Sequence, residues 1–216
     1  INYRTEIELK AISTYLFEQT FAEVQSPESS TSPQLLLGNE EIAIIAEKHG
    51  AIIPFLRPEH LSGDFTVDKE VRDHFIEWMR EKMIEADILC YLYATAPFIT
   101  HKTLRECQQL LIDSGAVSAH TVTTYAYPVL RSLKKDEDGL LSFMWDEYAS
   151  SRSQDLPELL HDAGQCYFFN LSKYGHKESR VGYELPRIYC QDIDTLEDFE
   201  IAEKLFPIVM PSLFLK

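Results

Sequence analysis

Asp192 and Asp194 flank a single apolar residue in the run Tyr189-Cys190-Gln191-Asp192-Ile193-Asp194-Thr195, after a strand-like stretch and before a helix. Side chains at i and i+2 of an extended segment point to one face, roughly 6 to 7 Å apart along the backbone. Two carboxylates so placed can converge on one hard divalent cation that keeps water or phosphate oxygens as its other ligands. Aspartates ahead of a helix also serve as caps and turn formers, so the pair alone leaves both readings open.

Elements able to position these residues follow from periodicity. Ile88 to Tyr93 reads as a strand, and Val71, Phe75, Met79 and Met83 recur every four residues, predicting an amphipathic helix over 67–86. His74 lies off that stripe and is expected to be solvated. Thr100 caps a helix running to about Ser114, and Thr195 opens the last helix with Asp198 in the capping-box position. His120 to Ala126, Leu141 to Trp145 and Gln165 to Asn170 carry the β-branched and aromatic content of strands. Upstream, Gln34 to Leu37 and Ala51 to Leu56 read as short buried strands around a helix from Asn39 to His49. A polar, proline-bounded loop from Val24 to Pro33 sets off an N-terminal helix over 7–24. Strands alternating with helices of this length imply an α/β fold with a mainly parallel sheet, and ligands of such sheets gather at the carboxyl ends of the strands. Tyr93 to Thr95 and Gln191 to Thr195 both lie at such an end.

Composition narrows the function. The 216 residues are 45% hydrophobic, enough for one sizeable core, and one domain over 1–216 is expected. The net charge is -15, which argues against nucleic acid or an anionic membrane as partner, since both call for a basic footprint. No apolar run reaches the length of a membrane span and no signal-peptide pattern opens the sequence. Cys90, Cys107, Cys166 and Cys190 form no metal-spaced pairs, so buried reduced thiols in a cytoplasmic protein are expected.

Several segments in order resemble the acylneuraminate cytidylyltransferase family. They are Asn39-Glu40-Glu41-Ile42-Ala43 with His49-Gly50-Ala51; Pro54-Phe55-Leu56-Arg57-Pro58-Glu59-His60-Leu61-Ser62-Gly63-Asp64; Tyr93-Ala94-Thr95-Ala96-Pro97-Phe98; Arg152-Ser153-Gln154-Asp155-Leu156-Pro157-Glu158; His161 to Gln165; and Gln191 to Asp198. The Ala-Thr-Ala-Pro-Phe and His-Asp-Ala-Gly-Gln forms are similar to the pseudaminic branch rather than the sialic acid branch. The resemblance spans about Leu35 to Phe206. It implies a three-layer Rossmann-like nucleotidyltransferase that joins CTP to a nine-carbon acid sugar. It further implies that Asp192 and Asp194 hold Mg²⁺ and that Arg57 and Asp64 contact the nucleotide. Tyr93, Ala94, Thr95, Arg152, Gln154 and Gln165 would contact the sugar. A homodimer is implied too, with residues 131–173 reaching the partner.

One departure from the family pattern stands out. Members open with a strand and a Gly- and Arg-rich loop that cradles the triphosphate through backbone amides and cations. Here the first glycine is Gly38, preceded by only two basic residues, Arg4 and Lys10. Residues 1–33 are therefore expected to be a diverged or truncated substitute, and Leu37-Gly38-Asn39 replaces the family's Ser-Thr-Asp. Two other readings remain open: a non-catalytic relative that kept the fold as a binding protein, and a sugar-nucleotide glycosyltransferase using Asp-x-Asp.

Overall fold

The computed structural model describes residues 55–63, 65–93 and 95–209, with Ile44, Glu47 and Ile53. The expected N-terminal helix, the loop over 24–33 and the strand Gln34 to Leu37 lie outside the described residues. So do half of the strand Ala51 to Leu56 and most of the helix Asn39 to His49, of which Ile44 and Glu47 are helical.

Helix α1 spans Asp68–Glu81, β1 Ile88–Leu92, α2 His101–Ser114 and β2 Ser118–Thr124. A two-stranded ribbon follows, β3 Leu133–Lys135 against β4 Leu141–Phe143. Then come β5 Leu160–Asn170, β6 Arg180–Glu184 and α3 Leu196–Val209. The main sheet has the order β1-β5-β2-β6. β5 runs antiparallel to β1 and to β2, whereas β2 and β6 are parallel. Three of the four strands thus share one direction, with β5 reversed between them.

Caps explain the helix limits. The Thr100 side chain accepts from the backbone N of Thr103 at 3.1 Å, and Gly115 ends α2 in the left-handed conformation at φ 62°. α1 stops at Glu81, five residues short of the expected Ala86, because the backbone turns left-handed at Met83, which is 89% exposed. His74 is not solvated as expected: it is half-buried, with its ring edge-on to Phe55 at 5.2 Å. β6 was not foreseen; its run Arg180-Val181-Gly182-Tyr183-Glu184 is charged at both ends, but Val181 and Tyr183 alternate onto the core face.

That core face packs α2 against the sheet through Leu104, Cys107, Leu111, Ala119, Cys166 and Phe168. All four cysteines are free thiols; Cys107 and Cys166 are buried and Cys190 half-buried, but Cys90 is exposed on β1, at the edge of the described sheet. The opposite face is aromatic. Tyr91, Tyr167, Phe169 and His120 share it, and α1 reaches it through long side chains, with the Arg72 guanidinium 4.2 Å from the Phe169 ring centre and donating to Tyr174 Oη at 2.9 Å. A smaller cluster of Phe98, Ile193, Ala202 and Val209 anchors α3. Among the described residues no helix is long and apolar enough to cross a membrane.

Candidate active site

The acidic pair is positioned from both ends. Arg187–Tyr189 forms a single helical turn, so the expected strand before the pair is replaced by a turn leading into extended chain. Ile193 then points into the cluster with Phe98 and Ala202, which leaves its two neighbours on the other side, as alternation in an extended segment requires. The backbone N of Ile193 donates to Thr95 O at 3.2 Å, tying the pair to the end of β1. On the far side Thr195 and Asp198 form a reciprocal box: Thr195 N donates to Asp198 Oδ2 at 2.8 Å and Asp198 N to Thr195 Oγ1 at 3.2 Å. Asp194 N also donates to Asp198 Oδ2, at 3.3 Å. The Thr195 hydroxyl donates to the same Oδ2 at 2.7 Å; this bond first, then those from the Thr195 and Asp194 amides, holds the Asp198 carboxyl below its ordinary range.

Asp192 is half-buried and Asp194 exposed. Burial pushes the Asp192 carboxyl above its ordinary value; a hydrogen bond from Thr95 works against this, and the negative charges of Asp194, Asp198 and Asp162 work with it. Asp192 Oδ1 is buried with no hydrogen-bond partner. The carboxylate lies over Gly164, whose φ is +63°; a Cβ built there would sit 2.5 Å from Asp192 Oδ2.

Around this carboxylate the chain gathers polar and aromatic groups from β1 and β5. Gln165 is wholly buried; its Nε2 donates to Tyr189 O, and its Oε1 has no partner. Tyr93 N donates to Gln165 O at 3.0 Å. The Tyr93 and Tyr167 rings lie 5.2 Å apart. Tyr93 Oη donates to Asp68 on α1, and Tyr167 Oη donates to Asp162 Oδ1 at 2.9 Å. Burial and the neighbouring carboxylates push both phenols upward, so both keep their protons at neutral pH.

Sequence-expected site residues thus fall into groups. Tyr93, Thr95, Gln165 and Asp192 are brought together at the carboxyl end of β1, with Asp194 beside them. Arg57 is half-buried, with Nε buried and unpartnered, and its charge is felt by the Tyr91 phenol. Arg152 forms a two-pronged pair with Asp155 at 2.6 and 2.9 Å within its own turn. Gln154 lines a cleft of about 300 Å³ with Tyr125, Tyr127 and Leu156. Asp64 and Ala94 lie outside the described residues. Sequence reasoning missed Asp68, which from a helix N-terminus meets Tyr91 of β1 and Tyr93 just beyond it; no local signal links residues so far apart in the chain. Among the described residues no group of three or more His, Cys, Asp or Glu side chains is arranged to hold a metal ion. Among the described residues, the side chains placed to meet a cation here are those of the acidic pair.

The pseudaminic acid cytidylyltransferase of Campylobacter jejuni serotype O:2 is 32% identical to this chain over 182 residues, covering 82% of the chain and 78% of that protein. The chain belongs to the pseudaminic acid cytidylyltransferase family. No protein-family model matches it. N-acylneuraminate cytidylyltransferase B of Danio rerio is more distant, 26% identical over 171 residues, covering 77% of the chain and 39% of that protein. Among solved structures, CMP:2-keto-3-deoxy-manno-octonic acid synthetase complexed with CTP superposes with a TM-score of 0.56 at 15% identity. It covers 93% of this chain and 88% of that one. That likeness gives this chain the α/β fold of that synthetase.

Proposed function

We propose that this chain joins CTP to a nonulosonic acid, pseudaminic acid in the first place, to give the CMP-sugar and pyrophosphate. The observation that carries the proposal is the half-buried Asp192 carboxylate with an unpartnered oxygen, seated beside Thr95, Gly164 and Asp194 in a chain of this family. An orphaned buried acceptor in an acidic cluster fits a divalent cation, because the cation relieves both the desolvation and the mutual repulsion of the carboxylates. Asp192 and Asp194 would hold Mg²⁺, whose chemistry there is to neutralise phosphate charge as it shifts during transfer.

The remaining work belongs to positioning. The anomeric hydroxyl oxygen of the sugar bonds to the α-phosphorus, the bond from that phosphorus to pyrophosphate breaks, and the hydroxyl proton is released; no protein nucleophile takes part. Arg57 and Asp64 would face the nucleotide. Tyr93, Ala94, Thr95 and Gln165 would line the sugar, with protonated phenols and an amide offering neutral contacts. Arg152 and Gln154 would approach it only from the region 131–173, whose ribbon exposes Leu133, Leu141 and Met144. We therefore take that region as a homodimer contact, which light scattering on the purified protein tests. We assign the chain to the cytoplasm on its free thiols.

The direct test supplies CTP, Mg²⁺ and pseudaminic acid, with N-acetylneuraminic acid in parallel, and follows CMP-sugar and pyrophosphate. Asp192→Asn is expected to cut turnover at least roughly 100-fold, the scale of several kcal/mol of metal assistance. CTP binding without product from either acid would overturn the proposal in favour of a binding protein.

A further inference from the structure

We propose that the Asp162-Ala163-Gly164 turn at the start of β5 is a positioning device for the Asp192 carboxylate; this rests on the reading of Asp192 as a cation ligand. Asp192 and Gly164 are 28 positions apart in the sequence and meet at the closest approach any glycine of the described chain makes to a side chain. A Cβ on Gly164 would lie 2.5 Å from Asp192 Oδ2 and 3.1 Å from its Cγ. No side chain fits there without moving the carboxylate, and the φ of +63° is itself unfavourable for any residue bearing a Cβ.

Asp162 sets that geometry. Its Oδ1 accepts from Gly164 N at 2.9 Å and from Tyr167 Oη at 2.9 Å. One oxygen thereby fixes the left-handed glycine and ties the turn to the aromatic face of the sheet. Asp162 acts through Gly164 and is a positioning residue, not a ligand. On the other side the chain next to Asp192 is tied down where Ile193 N donates to Thr95 O at 3.2 Å, and Asp192 Oδ1 is left buried and unpartnered at the site.

The test uses the full chain and Mn²⁺ alone as probe, titrated by electron paramagnetic resonance, with thermal unfolding in parallel. Gly164→Ala should weaken Mn²⁺ binding at least about tenfold, the loss of one well-placed carboxylate ligand. It should also lower the unfolding temperature, and that drop should shrink when Asp192→Ala removes the opposing carboxylate. Asp162→Ala should reproduce the Mn²⁺ loss, and Asp162→Asn, which keeps the accepting oxygen, should restore binding. An equal drop in unfolding temperature in both backgrounds, or Mn²⁺ affinity unchanged by Gly164→Ala, overturns the proposal. If the unfolding coupling holds but the wild-type chain takes up no Mn²⁺, the positioning stands and the cation reading of Asp192 fails.

Discussion

Gln165→Met separates a structural amide from one kept for a ligand. Gln165 is wholly buried, its Nε2 donates to Tyr189 O, and its Oε1 meets nothing. The amide cannot be turned over, because Oε1 would then oppose a carbonyl oxygen. Methionine keeps the length and unbranched shape of the side chain and removes both polar ends. Losing the bond strands Tyr189 O and costs about 1 to 3 kcal/mol, while removing a buried unsatisfied acceptor returns about 1 to 3 kcal/mol. The two nearly cancel, so stability should stay within about 1 kcal/mol of wild type. If Oε1 meets a donor of the substrate, losing that contact should lower kcat/KM by about 10- to 100-fold, since each tenfold corresponds to about 1.4 kcal/mol. Urea unfolding followed by the fluorescence of Trp78 and Trp145 gives the first quantity, and initial rates of CMP-sugar formation give the second. A stability loss above about 2 kcal/mol together with kcat/KM within twofold of wild type would refute the reasoning. Oε1 would then be satisfied within the fold, and the amide would be structural.

Thr121→Val tests the bulge between β2 and β5. Thr121 Oγ1 donates to Cys166 O at 3.2 Å and accepts from Cys166 N at 3.1 Å, at the step where the register shifts between His120 and Val122. Valine fills the same space but strands two buried backbone groups, so urea unfolding should show a loss of about 2 to 4 kcal/mol, with Thr121→Ser retaining most of the stability. His120 is buried among Tyr167 and Phe169, and burial lowers its pKa from 6.5 to about 4, with Arg180 and Arg72 reinforcing the shift and Asp162 and Glu178 opposing it. Between those values the unfolded chain binds the proton and the folded chain does not, so stability rises with pH from about 4 to 6.5 and is lost on acidification. The contribution is at most about 3 kcal/mol; the difference in stability between wild type and His120→Phe, measured across that range, should show this slope, and a flat difference would contradict it.

How far the fold was legible depended on how local its determinants are. The start and end of α2 follow from Thr100 and Gly115, and the opening of α3 from Thr195 and Asp198, because capping acts within four residues. β5 was expected over 165–170 but begins at Leu160. Its first half contains Asp162 and Gly164, both turn formers, and it is strand only because β2 pairs with it across the bulge. β6 escaped notice for a similar reason: the short alternation of Val181 and Tyr183 carries weight only once α2 covers it.

The site divides along the same line. Alternation around Ile193 placed two carboxylates on one side, and the structure keeps that arrangement because Ile193 is buried. What turns the pair into a candidate cation site lies elsewhere in the chain: Thr95 at the end of β1, Gly164 under the carboxylate, and Asp162 holding the glycine. None of these is readable from spacing, since each acts across a contact that only the folded sheet creates. An Asp-x-Asp run in isolation is therefore weak evidence of metal chemistry, and its value rises with what covers it. Had Gly164 been alanine, the same two aspartates would stand in the sequence, but a methyl group 2.5 Å from Asp192 Oδ2 would force the carboxylate to move.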